Sequence, residues 1–162
     1  MTLYGMKRCF QTAIGAVYTT NKEGLGCIRR EADREYIWLQ GIASTIAGSV
    51  VVYDVDGTYN TQLITTALGA VPRYIAVATA AIVASSYGWY QIRGYCSAIY
   101  AAASCAADVA LYTDASTNGG VDDTSSSEHA ITGMILATAV GSGAAATTDG
   151  YLLYPQTVPN LD

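Results

Sequence analysis

Aromatic and β-branched residues recur along this chain in short runs, separated by small or turn-forming residues. The longest run, Tyr87-Gly-Trp-Tyr-Gln-Ile-Arg-Gly-Tyr-Cys-Ser-Ala-Ile-Tyr100, has the composition of a pleated, half-buried strand, with Trp89 and Tyr90 on opposite faces. Ala101 to Asp108 breaks that pattern with small residues, Ala110 to Thr113 resumes it, and Asn118-Gly-Gly-Val-Asp-Asp123 reads as a turn. Upstream, Gly26–Arg30 and Glu35–Gln40 read as a hairpin around Glu31-Ala-Asp-Arg34, with Ile37 and Leu39 facing one way and Tyr36 and Trp38 the other. Both faces of that second strand should therefore be covered.

Ser49–Val55 is a β-branched strand, Asp56-Gly57 a turn signal, and Thr61–Thr66 the return strand. Pro72 punctuates the next loop before a strand over Arg73–Thr79. Ala78–Ala84 is left open: its alanines suit a helix, its Val and Ile do not. A strand over Ile131–Thr138, a Gly/Ala/Thr loop over Gly141–Asp149 and a strand over Gly150–Tyr154, ended by Pro155, complete the chain. Met1–Glu23 has no steady period and reads as an extended arm or a peripheral strand. Short strands with Gly-rich turns and no long amphipathic helix predict an all-β fold, a small antiparallel β-barrel or sandwich. The expected organisation is an N-terminal arm over 1–23 followed by one β-rich domain over 24–162.

Length supports this: 162 residues suffice for one domain with a substantial core. Only 13% of residues are charged, against roughly 25% in ordinary soluble domains. A surface this poor in charge often rests against other protein. Six of the eight basic residues fall within the first 34 positions, and beyond Glu35 only Arg73 and Arg93 face nine carboxylates, so the body is acidic and direct nucleic-acid binding is disfavoured.

Lys7-Arg8 before Cys9–Tyr18 only faintly imitates a signal peptide, because Gln11 and Thr12 interrupt the apolar run. Tyr74–Ala84 is the longest apolar run and falls short of the roughly 20 residues a membrane helix needs, so the chain reads as soluble, with no membrane partner. Cys9, Cys27, Cys96 and Cys105 contain no C-x-x-C pair, and His129 is the one nitrogen ligand that could join them, so zinc has little support. Small buried hydrophobes in a cytosolic fold, or disulfides in an oxidising compartment, both fit these cysteines.

The most enzyme-like signal is Val50-Val-Val-Tyr-Asp-Val-Asp-Gly-Thr58, which resembles the first motif of haloacid-dehalogenase-type phosphatases. That resemblance implies Asp54 as nucleophile, Asp56 as general acid/base and a magnesium ion. The rest of the family pattern is missing: there is no Lys after Lys22, so Arg73 or Arg93 would have to replace it, and Asp122-Asp123 follows a Gly-rich turn instead of a strand. A hairpin turn is the favoured reading of Asp54 and Asp56. These two and Asn60 also sketch part of a calcium loop, but Thr65 stands where the bidentate Glu belongs. Glu128-His129 and Ser125 to Ser127 read as a solvated turn, and Gly141-Ser-Gly143 lacks the context of a nucleotide loop.

Across the second half, Tyr87–Gly94, Ala106–Tyr112, Gly120–Asp123, Ile131–Ala137 and Tyr151–Pro155 follow in an order that resembles tailed-bacteriophage head decoration (capsid cement) proteins. The resemblance implies a non-enzymatic virion protein on the outer surface of the capsid, made in the host cytoplasm. It would bridge major capsid protein subunits, with neighbouring copies of itself as a homotrimer. No cofactor, metal ion or catalytic residue is then expected. The arm residues Tyr4, Met6, Arg8 and Phe10 are the candidate capsid contacts. Another virion component, of tail or fibre, is the alternative within the same class.

Overall fold

The computed structural model describes residues 10–125 and 128–158. Among the described residues, ten strands and one helical turn follow in chain order: β1 Ile28–Glu31, β2 Arg34–Gln40, β3 Val50–Tyr53, β4 Thr61–Leu63, α1 Thr66–Gly69, β5 Tyr74–Ala78, β6 Tyr87–Ala101, β7 Leu111–Thr113, β8 Val121–Asp122, β9 Ala130–Leu136 and β10 Ala146–Val158. All strands belong to one sheet, ordered β1-β2-β6-β8-β7-β9-β10-β5-β3-β4, with β6 also pairing β10 and β5. The fold is all-β, and the extra pairings bend the sheet into a partial ring running β6-β8-β7-β9-β10 and back to β6. Its weakest seam is β6–β8, a parallel contact with a single register pair, Ala101↔Val121.

Alternation assigns each face to a different core. On β2, Ile37 and Leu39 join Val51, Ala76, Ile82, Tyr90 and Ile92, while Tyr36 and Trp38 pack with Trp89. The ring interior is filled by Val50, Val52, Ile75, Val77, Ile99, Leu111, Val121, Leu136 and Leu152. Trp89 and Tyr90 thus lie in different clusters, on opposite faces of β6, as the pleat requires.

Trp38 and Trp89 stand directly opposite each other in the β2–β6 ladder, fully buried, with ring centroids 5.1 Å apart and edge to face. Phe10 packs edge-on to Trp89 at 5.2 Å and Tyr18 lies 5.7 Å from Trp38. Buried indoles need partners for their N–H groups, and both find them in the segment before β1: Trp89 donates to the Thr12 hydroxyl and Trp38 to the Asn21 amide oxygen, each at 2.9 Å. Glu23 then accepts from the Thr12 hydroxyl at 2.6 Å and the Gln11 amide at 2.8 Å. Residues 10–23, read as arm from sequence, lie here against the β2–β6 face; residues 1–9, with Tyr4, Met6 and Arg8, fall outside the described residues.

Four local expectations are corrected. Thr66 begins α1 and does not extend β4, because Thr65 caps the turn by accepting from the Leu68 amide at 3.3 Å. Val121 and Asp122, expected within a turn, form β8. The loop expected over Gly141–Asp149 gives way to strand at Ala146. Pro155 does not stop β10: it falls where the β9–β10 register shifts between Leu152 and Gln156, at a bulge where a missing amide costs no ladder bond. Ala78–Ala84, left open above, is the end of β5 and a series of turns.

Truncating Trp89 to Ala removes the centre of the aromatic cluster and leaves Thr12 without its indole donor. Trp89→Ala is expected to lower unfolding stability by about 3–5 kcal/mol in urea titrations. A loss below about 1 kcal/mol would show that the cluster does not hold the N-terminal segment to the sheet.

Candidate interaction surface

The D-x-D-G-T sequence forms the β3–β4 turn. Asp56 accepts from the Thr58 amide at 2.9 Å and the Thr58 hydroxyl at 2.6 Å, and these bonds hold its carboxyl below the usual carboxylate range. Asp54 pairs with Arg73 at 3.3 Å. Both carboxylates therefore have structural partners that account for the motif. Glu128 accepts from the Thr66 and Thr113 hydroxyls, and the His129 amide donates to the Thr113 hydroxyl at 3.1 Å, so this stretch ties α1 and β7 together.

The outer face of the ring is different in kind. In the β6–β10–β9 ladders, Tyr151 stands opposite Tyr95 on one side and Ile135 on the other, while Leu152 stands opposite Met134. Leu152 and Met134 point into the core, so Tyr95, Tyr151 and Ile135 form a cross-strand row on the outside. Tyr151 is 54% exposed and Leu153 64% exposed, and with Gly133 and Ile135 they line a shallow apolar depression. The β10 bulge adds Tyr154 to the exposed set. Its φ of 49° turns the chain so that two consecutive large residues, Leu153 and Tyr154, both reach the surface.

A polar rim surrounds this row. The Tyr95 hydroxyl donates to Asp149 at 3.2 Å, and the Arg34 guanidinium lies 5.5 Å from the Tyr95 ring centre. On the far side, Glu35 is only 4% exposed and gathers Arg30 from β1, Arg93 from β6 at 3.3 Å and the Tyr154 hydroxyl from β10 at 2.8 Å. Burial pushes the Glu35 carboxyl up, but the bonds from Tyr154, Arg30 and Arg93 outweigh it and leave the group below its ordinary value. An apolar, aromatic centre inside a rim of satisfied polar groups has the anatomy of a protein-binding patch.

None of these surface residues was singled out by sequence as a contact. Tyr151-Leu-Leu-Tyr154 lacks the alternation that would reveal an exposed face, and the bulge that exposes Tyr154 depends on pairing with β9. Of the four arm residues expected to make contacts, Phe10 is described, and its ring packs on Trp89. No family model matches the chain, and neither a curated protein nor a solved structure matches it.

The Glu35 cluster predicts an acid-side signature. Because its folded carboxyl titrates below the unfolded value of about 4.3, its contribution is complete above that value and is lost as pH falls through the folded one. Tyr154→Phe removes one charge-assisted bond and is expected to cost about 1–2 kcal/mol at neutral pH. It should also shrink the acid-side loss, because Glu35 then titrates nearer its unfolded value. Urea midpoints measured from neutral to acid pH check both; parallel profiles for the two proteins would contradict the assignment.

Proposed function

We propose that this protein is a non-enzymatic capsid decoration protein that docks on the outer shell of a tailed-phage head and bridges major capsid protein subunits. The observation that carries this reading is the outward-facing row of half-buried Tyr95 and Ile135 with exposed Tyr151 and Leu153 on the β-body. Rigid aromatic side chains in such a row give large contact area at low entropic cost, which suits a surface made to rest on another protein. The low charge content and the order of second-half motifs that resembles decoration proteins point the same way.

In this reading the copies act as a homotrimer, each applying modest contacts that repeat over the shell. A protein that binds the mature lattice and not its ruptured state stabilises that lattice by mass action. The internal pressure of packaged DNA then meets a higher barrier. The net charge of -5 fits a partner made of protein and not of nucleic acid.

The double variant Tyr151→Asp, Leu153→Asp alters exposed side chains, so its own unfolding midpoint should move little. Its occupancy on expanded, decoration-free capsids, measured by co-sedimentation, is expected to fall at least about tenfold. Particles carrying the wild-type protein should release DNA at higher temperature than bare ones. Unchanged occupancy in the variant would exclude this face, and equal release thresholds would exclude the stabilising role. Magnesium-dependent hydrolysis of a phosphate ester that disappears in Asp54→Asn would instead establish the phosphatase alternative.

A further inference from the structure

Alternation on β2 separates two kinds of electrostatics. Glu35 points to one face and gathers Arg30, Arg93 and the Tyr154 hydroxyl, while Arg34 and Tyr36 point to the other. Among the described residues, Arg29 pairs with Glu31, Arg30 and Arg93 with Glu35, and Arg73 with Asp54, so Arg34 is the one guanidinium without an ion pair. It meets a ring instead, lying 5.5 Å from the centre of Tyr95. The acidic groups on the adjoining hairpin are Glu31, held by Arg29, and Asp33, which is exposed; neither pairs with Arg34.

Between this face and the N-terminal segment lies a partly enclosed cavity of about 180 Å³, walled by Ile14, Arg34, Tyr36 and Thr79 and by Gln91 and Cys96 from either side of the Gly94 bend in β6. Most of its donors are committed. The Thr79 hydroxyl donates to the Trp89 carbonyl at 2.6 Å, the Gln91 amide to the carbonyls of Arg93 at 3.0 Å and Tyr95 at 2.8 Å, and the Cys96 thiol to the Ala98 carbonyl at 3.3 Å.

Tyr36 is different. It is 4% exposed, and the side chain its hydroxyl meets is the Arg34 guanidinium, which has no acceptor to offer. Burial pushes the hydroxyl above its ordinary value against the pull of Arg34, so its proton stays in place at neutral pH. Two donors, one charged and one buried, therefore border the same cavity without an acceptor. Such groups are costly to leave unanswered.

We propose that this cavity is a socket for a carboxylate, the Asp or Glu side chain of the protein that docks on the Tyr95–Tyr151 row, with Arg34 and Tyr36 as its donors. The occupant rests on the docking reading given above; the socket rests on the donors. Its size suits a carboxylate on a short stem, since sites for larger ligands begin at roughly 300 Å³. The guanidinium fork matches a planar carboxylate better than a spherical anion. The socket is continuous with the docking row because Arg34 serves both: it lines the cavity and covers Tyr95, whose ring packs edge-on to Tyr151 at 5.7 Å. An apolar contact on the row and a charged contact in the socket together fix the register of the partner, which one contact alone leaves free.

The full chain is titrated with N-acetyl-glutamate N-methylamide, whose side-chain carboxylate is its one charge, and with the glutamine counterpart, each followed by ¹⁵N–¹H NMR. Saturable shifts at the Arg34 Nε–H and the Gln91 side-chain amide are expected with the acidic probe and not with the neutral one. Arg34→Gln should weaken binding at least about tenfold and Tyr36→Phe about threefold, while Lys22→Gln, altered at the other described cation without an ion pair, should bind as wild type does. If Arg34→Gln lowers the unfolding midpoint, Tyr36→Phe, which keeps the buried ring, carries the test. On expanded capsids, occupancy of Arg34→Gln should fall at least about fivefold. The socket is overturned by the absence of a saturable shift, by equal shifts with the neutral probe, or by unchanged binding in both variants. Full capsid occupancy of Arg34→Gln overturns its use in docking. Reduced occupancy of Arg34→Gln beside full occupancy of the Tyr151→Asp, Leu153→Asp variant would instead remove the aromatic row from the reading and keep the socket.

Discussion

The fold depends on one strand being long enough to serve two halves of the body. At Gln91, β6 bonds β2 on one edge and β5 on the other; by Ala101 it bonds β8 and β10. The exchange of partners occurs around Gly94, whose φ of +89° bends the strand and whose missing side chain matters: a Cβ there would sit 2.7 Å from the Asp33 carbonyl oxygen. Gln91 supports the bend by donating to the carbonyls of Arg93 at 3.0 Å and Tyr95 at 2.8 Å. The aromatic cluster before the bend and the ring after it are consequences of that single irregularity.

Much of the strand content was legible because period-2 alternation is a local property. On β2 the separation of Ile37 and Leu39 from Tyr36 and Trp38 could be read directly, and it holds because two different clusters cover the two faces. The errors came where tertiary pairing overrides local chemistry. Pro155 signals a stop only if its amide is needed, and at the β10 bulge it is not. Val121-Asp122 is too short to announce a strand, and becomes one because Ala101 and Thr113 flank it.

The chemistry-bearing clusters were less visible for the same reason. Glu35 meets Tyr154 across 119 positions of sequence, and Cys105 meets Asp122 and Asp123 because the loop after β6 returns beside β8. Motif spacing detects side chains that share a turn or a helix face; it does not detect side chains joined by sheet topology. The D-x-D-G-T sequence is the converse case: a recognisable spacing whose geometry is satisfied by Thr58 and Arg73. Exposure is similarly a property of pairing, since Tyr151 faces outward only because Leu152 is drawn inward beside Met134.

The position of β10 has a consequence for how the body is made. It is the last strand among the described residues, and it pairs with β5, β6 and β9 and so completes the ring. During synthesis the earlier strands emerge with the outer edge of β6 beyond Gly94 and the free edge of β9 unpaired, and such edges invite pairing with other chains. Closure by contacts of high sequence separation is slow compared with hairpin formation. The ring therefore closes only after Val158 has left the ribosome, and β10 acts as its latch.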